Sequence, residues 1–245
     1  MDYLKEFMSK LQKLAYSKRI SDVFRDFLTL STCALAQPIY RSNELEQTYL
    51  ETVNRYTKEQ AEEFSQLLAF LIEALTEKHQ DFLGQVYMQL NLGSTAKGQF
   101  FTPYHISQFM AEINFAEIEN KLKAQEFITL SDPCCGSAGM IIAFAETMQN
   151  KGYNYQNRLF VEVIDMDEMC FMMAYIQLSL YGIPARVMLG DSLAWKFSKV
   201  LYTPFYFVKG FHWKLKRQNQ KAKVEPSQTN KMQHIEATQL QLFIL

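Results

Sequence analysis

The chain has 245 residues, 48% of them apolar and 21% charged. At about 100 to 200 residues per domain this is one large domain or a domain with a helical extension, and the composition excludes global disorder, collagen-like repeats and low complexity. A formal net charge of -1 argues against a uniformly basic nucleic-acid coat. The opening MDYLKEFMSK carries charges of both signs and no apolar core, and no stretch approaches the roughly 18 apolar residues of a membrane span, so a cytoplasmic location is expected. Cys33, Cys134, Cys135 and Cys170 form no C-x-x-C pair, and His79, His105, His212 and His234 lie far apart. Neither a disulfide framework nor a metal site is predicted.

From residue 2 to about 90 the apolar positions recur at helical spacing: Leu4, Phe7, Met8, Leu11 and Leu14, then Val23, Phe24, Phe27 and Leu28, then Phe64, Leu67, Leu68, Leu71, Ile72 and Leu75. This predicts a helical region over 1–95, with breaks near Ala36-Gln37-Pro38 and at Gly84. Thr57 to Gln60 suits a capping box. After residue 125 the pattern changes to short β-rich runs alternating with helices: FITLSDP (127–133), a helix over 137–149, LFVEVID (159–165), a helix over 167–181, ARVMLGD (185–191) and KVLYTPFYFV (199–208). That alternation predicts an α/β fold with an open, mostly parallel sheet. Ligands of such sheets bind outside the carboxyl ends of the strands, where Asp132, Asp165 and Asp191 fall. A single strand-end aspartate is more often a turn former or helix cap; three at one edge point to a site.

Asp132 to Met140, DPCCGSAGM, follows a predicted strand and opens a helix. Gly136 and Gly139 allow a sharp turn and close approach of backbone to a ligand, and the helix start supplies unpaired N–H groups. G-x-G-x-x-G is absent, Asp165 lies 33 residues after Asp132 rather than about 20, and no G-K-[ST] follows, so neither the dinucleotide fingerprint nor the phosphate loop applies. Between Ser192 and Val224 there is no acidic residue. That stretch holds Lys196, Lys199, Lys209, Lys214, Lys216, Arg217, Lys221 and Lys223, with Phe205, Tyr206, Phe207, Phe211 and Trp213 among them. Such a mixture suits a surface that tracks phosphates and stacks bases, and equally a solvated basic face over core aromatics.

From about Asp81 to Leu193 the sequence resembles the adenine-specific DNA methyltransferases that include the modification subunits of type I restriction systems. DFLGQVYMQLNLGSTAKGQFFTPYHIS (81–107) contains Gly98-Gln99-Phe100-Phe101-Thr102-Pro103, which looks like that family's motif X. DPCCGSAGM looks like its motif I, with Ala138 in place of a glycine, and Asp165 and Gly190-Asp191-Ser192-Leu193 match its second and third acidic positions. The resemblance implies a Rossmann-like methyltransferase sheet over 96–224, with a core at 96–208, a basic aromatic segment at 209–224 and a tail at 225–245 that includes the alternating TQLQLFIL. It implies S-adenosylmethionine held by Phe100, Thr102, Pro103, Asp132, Gly136, Gly139, Asp165 and Asp191. The family's N-P-P-Y is absent; its place carries Thr203-Pro204-Phe205-Tyr206. Thr203, Pro204 and Tyr206 are therefore the catalytic candidates, Tyr206 stacking on a flipped base. The expected function is DNA N6-adenine methylation in a restriction-modification or phage-type modification system, with DNA and a separate specificity or restriction subunit as partners. The alternative is a non-catalytic cofactor- or DNA-binding subunit; methylation of RNA or of a protein glutamine fits less well without N-P-P-Y.

Overall fold

The computed structural model describes residues 1–92 and 101–224. Gly98, Gln99 and Phe100 of the motif X stretch and the tail 225–245 lie outside the described residues.

The amino-terminal third is helical: α1 (Tyr3–Leu14), α2 (Ile20–Tyr40), α3 (Asn43–Val53), α4 (Lys58–Glu77) and α5 (Phe82–Gln89). Side chains start most of them. Asp2, Ser42, Thr57 and Asp81 each accept a backbone N–H in the first turn, and Thr57 with Gln60 completes the capping box. Pro38 does not break α2, which runs two residues further and ends at Arg41 in the left-handed region. In the last turn the proline removes only one intrahelical bond and few residues remain to be disrupted. Gly84 does not mark a break either; it sits in the first turn of α5, and the chain turns before it, at 78–81. Asp26, buried on α2, accepts from Tyr56 Oη (2.6 Å) and Arg55 Nη2 (2.9 Å), which ties α2 to the start of α4.

After α6 (Tyr104–Ala124) come β1 (Ile128–Asp132), α7 (Gly139–Asn150), a single turn α8 (Tyr155–Arg158), β2 (Leu159–Asp165), α9 (Glu168–Leu180), β3 (Ala185–Asp191), β4 (Lys196–Tyr202), α10 (Pro204–Val208) and α11 (Phe211–Val224). The sheet order is β1-β2-β3-β4, with β1, β2 and β3 parallel and β4 antiparallel to β3. The stretch 199–208 is therefore not one strand. It is the end of a hairpin strand followed by a short helix whose first residue is Pro204, a favoured first helical residue because its φ is preset and its missing N–H is not needed there.

Alternate residues of β1, β2 and β3 (Ile128, Leu130, Leu159, Val161, Val163, Ala185 and Val187) face α7 and α9 in one continuous apolar core. That core continues through α2 to Phe7, Phe24, Phe27 and Leu71, so it does not divide at residue 95. Apart from Glu168 and Leu180, the residues of α9 are all buried, as expected of a helix held between a sheet and another helix, here α2. A smaller cluster, Phe127, Phe160 and Phe211, fixes α11 to the opposite face. Doubly wound sheets of order 3-2-1-4-5-6 have strand 1 in the centre. Here β1 is an edge strand among the described residues, and the chain after β3 returns beside β3 instead of crossing beyond β1.

Candidate cofactor site at the carboxyl ends of the strands

The three parallel strands end side by side on Asp132, Asp165 and Asp191. Asp132 is nearly buried and its carboxylate accepts Cys134 N at 3.1 Å. Burial pushes its pKa up to about 6, and the negative charge of Asp165 adds to the rise. Asp165 accepts Gly136 N on Oδ2 (2.8 Å) and Asp167 N on Oδ1 (2.9 Å). Burial raises its pKa too, against those backbone donors. Each carboxylate oxygen has two lone pairs, so two backbone bonds leave Asp165 acceptor capacity. Asp191 Oδ1 accepts Leu193 N (2.8 Å) and Ala194 N (2.9 Å), the ordinary work of an aspartate in a turn.

Between β1 and α7 the glycine-rich loop is tied from several sides. Cys135 N donates to Ile164 O (2.9 Å), Ala138 N to Cys135 O (2.8 Å), and Gly136 N to Asp165. Gly136 has φ +53°, and a Cβ there would meet the Phe101 ring at 3.0 Å. Phe101 in turn lies over Tyr87, centroids 5.0 Å apart. Ala138, where the family has glycine, is in the left-handed region at φ 70° and fully buried. Its methyl contributes about 0.8 kcal/mol of burial, which partly offsets the roughly 1 to 2 kcal/mol of left-handed backbone.

The structure brings Asp132, Gly136, Asp165 and Asp191 to one edge of the sheet. Thr102 and Pro103 follow Phe101, and Pro103 caps α6, whose Tyr104 and Gln108 both donate to Glu146 on α7 at 2.9 Å. Gly139 has a different neighbour: a Cβ there would lie 2.9 Å from Asp81 Oδ2. Two contributions escaped the sequence reading. Phe101, not only its neighbours in GQFFTP, covers the loop. Met166 and Leu193, 74% and 98% exposed, follow two of the acids as bare apolar side chains at the same edge. The signal for both was present, as apolar residues within two positions of polar site residues.

Thr203, Pro204 and Tyr206 are not brought to this edge. Because β4 is antiparallel, Tyr202 pairs with Arg186 and the loop after it lies at the amino ends of the parallel strands. Thr203 is fully buried: its Oγ1 donates to Ile183 O (2.7 Å) and accepts Ala185 N (2.9 Å). From Ala185 to Asp191 the strand rises about 20 Å at roughly 3.3 Å per residue. Tyr206 packs on Tyr202 (4.4 Å) and Phe160 (5.7 Å). The hydroxyl of Thr203 is spent on the backbone and the Tyr206 ring on packing, at the opposite end of β3 from Asp191. The basic aromatic segment lies at that same far end. Lys214 donates to Asn157 O (2.9 Å) and, with Arg217, pairs with Glu126, while Lys216 lies over Trp213 and Lys209 over Phe205. The side chains of Lys221 and Lys223 lie outside the described residues.

No described helix is long and apolar enough to cross a membrane. The sequence matches none of the curated proteins. Two solved structures are similar at 19% identity. One is described as a class I S-adenosylmethionine-dependent methyltransferase of Listeria monocytogenes (TM-score 0.36, 69% of this chain and 54% of that one). The other is the methyltransferase subunit of a type I restriction-modification system of Streptococcus thermophilus (TM-score 0.32, 74% of this chain and 36% of that one). This chain thus spans about half of the first and about a third of the second. The model of the N-6 DNA methylase family matches residues 78–244. The chain belongs to the N-6 DNA methylase family.

Proposed function

We propose that the chain binds S-adenosylmethionine at the carboxyl ends of β1, β2 and β3 and serves DNA N6-adenine methylation, in a restriction-modification or related modification system and with DNA as substrate. One observation carries this reading: Asp165 holds the glycine-rich loop through Gly136 N at 2.8 Å while its remaining lone pairs stay available for hydroxyl donors. The residues fit the group. Gly136, in the left-handed region and without a Cβ, lets the Phe101 ring close directly over the loop backbone, which gives the methionine part a wall to pack on. Asp165 suits a pair of ribose hydroxyls, and Met166 and Leu193 offer exposed apolar walls for a purine ring. When bound, the cofactor supplies an activated methyl on a sulfonium; the chain binds and orients it.

A second reading, a cofactor-binding subunit that needs another chain to supply the acceptor groups, is favoured by the buried and committed hydroxyl of Thr203. One experiment decides. The protein is titrated with S-adenosylmethionine in a calorimeter, then incubated with methyl-labelled cofactor and unmethylated genomic DNA, and the DNA is digested to nucleosides. Label in N6-methyl-2′-deoxyadenosine supports the enzyme. Binding without label leaves the subunit, and no binding removes both readings.

A further inference from the structure

Asp81, a buried acid at the start of α5, touches none of the three strand-end acids, yet it lies under the glycine-rich loop. Its Oδ1 accepts Gly84 N (3.0 Å) and Gln177 Nε2 (2.9 Å), and its Oδ2 accepts Ser137 Oγ (2.5 Å). Gln177, wholly buried on α9, also donates to Ser137 O (2.8 Å), while its Oε1 accepts Leu83 N (3.1 Å). Both the hydroxyl and the carbonyl of Ser137 are thereby held, the next residue after the Gly136 that binds Asp165.

The fold gives up side chains to make room. A Cβ on Gly84 would stand 2.6 Å from Ser137 Oγ, and one on Gly139 would stand 2.9 Å from Asp81 Oδ2. Both are under 3.0 Å, which a real Cβ essentially never reaches, and here the neighbours are themselves buried and cannot swing away. Burial pushes the Asp81 carboxyl above its ordinary pKa, against the opposing pull of Ser137, Gln177 and Gly84. A helix cap alone needs only one acceptor oxygen. Asp81 uses its second oxygen on the loop, and a purely structural acid would not need two glycines from two different elements around it.

We propose that Asp81, with Gln177, is a positioning residue for the cofactor loop, fixing Ser137 so that the Gly136 N–H stays aimed at Asp165 before any ligand arrives. The inference rests on the reading of that loop as a cofactor site. It links α5, α9 and the loop in one hydrogen-bonded unit, so the amino-terminal helices set the shape of the binding edge. Preorganisation of this kind acts on affinity by removing an ordering cost that binding would otherwise meet.

The test uses the full chain with three variants. Ser137→Ala removes the loop's donor with little change of volume, Asp81→Ala removes the acceptor, and Asp81→Asn keeps the cap oxygen and can bond Ser137 once its hydroxyl turns to accept. Each is measured by S-adenosylhomocysteine calorimetry, amide hydrogen exchange without ligand, and thermal unfolding. The expected result is at least tenfold weaker binding in Ser137→Ala and Asp81→Ala, with faster exchange confined to 133–139 and unchanged exchange in β2. Asp81→Asn should recover to within about threefold of wild type, the range of a retained hydrogen bond. Because the three groups act as a unit, Asp81→Ala with Ser137→Ala should bind little worse than the weaker single variant.

Wild-type loop exchange and wild-type affinity in Ser137→Ala would overturn the proposal, as would losses that follow global unfolding in every variant. If Asp81→Ala does not fold, Ser137→Ala and Asp81→Asn carry the decision. If the wild type binds no ligand, the cofactor reading fails, while loop exchange in Ser137→Ala still decides whether the unit fixes the loop.

Discussion

At the scale of single residues the strand-end acids do different work although the sequence presents them alike. Asp191 is committed to a turn, Asp165 organises the loop and keeps acceptor capacity, and Asp132 is a buried carboxyl held high by desolvation. Asp165→Ala should weaken S-adenosylmethionine binding more than tenfold, about 1.4 kcal/mol or more, since it removes a charge-assisted acceptor and frees Gly136 N; calorimetry checks it. Asp132 predicts a pH effect of definite sign. Its folded pKa, about 6, lies above the ordinary 3.8. Between these values the folded state holds the proton more tightly, so stability from this group is full below pH 3.8 and is lost as pH rises through 6. Asp132→Asn should therefore stabilise the protein at pH 7.5, by about 3 kcal/mol at most, and the gain should vanish near pH 4. Urea unfolding at both pH values measures it. A cost in cofactor affinity is expected to accompany the gain, as at other strained binding sites.

At the scale of elements, the parts whose pattern is set locally were legible in the sequence. LFVEVID and ARVMLGD become β2 and β3 with the expected bounds, because each is a short run rich in β-branched and other apolar residues. The capping box at Thr57 forms as its spacing predicts, and Thr57→Ala should cost about 1 kcal/mol in a denaturant titration. The stretch 199–208 misled because its identity is decided by register. KVLY reads as a strand in either direction, and only the pairing of Asp191 with Lys196 reveals a hairpin that turns the chain away from the site. Thr203 supplies the discriminating variant. Thr203→Val leaves Ala185 N–H buried without its partner and should cost about 1 to 3 kcal/mol of stability, while cofactor affinity stays at the wild-type value. Unchanged stability with altered affinity would put Thr203 back at the cofactor edge.

At the scale of the whole molecule, the positions of the acids and glycines were readable, because strand ends and tight turns leave local marks, whereas the support beneath them was not. Asp81 and Ser137 lie 56 residues apart, and Asp81 and Gln177 lie 96 apart. No spacing rule connects such positions; they meet only because α5 and α9 pack together below the loop. The same packing makes the amino-terminal helices part of the sheet's core and not an appendage. α9 is buried on nearly every side, and one of those sides is α2. A fragment of residues 101–224 would expose Met172, which touches Thr29 of α2, as well as the donors of Gln177 and Ser137 that Asp81 satisfies. We expect this fragment to lack a cooperative thermal transition, to bind a hydrophobic dye and to show no affinity for S-adenosylhomocysteine. The full chain should unfold in one transition, because a continuous core gives neither part a separate equilibrium. Adding residues 1–92 in trans should restore binding if the two surfaces recombine. A fragment that melts cooperatively by itself would show instead that the sheet and its own helices suffice, and that the link through Asp81 adjusts the loop without being needed to hold the fold.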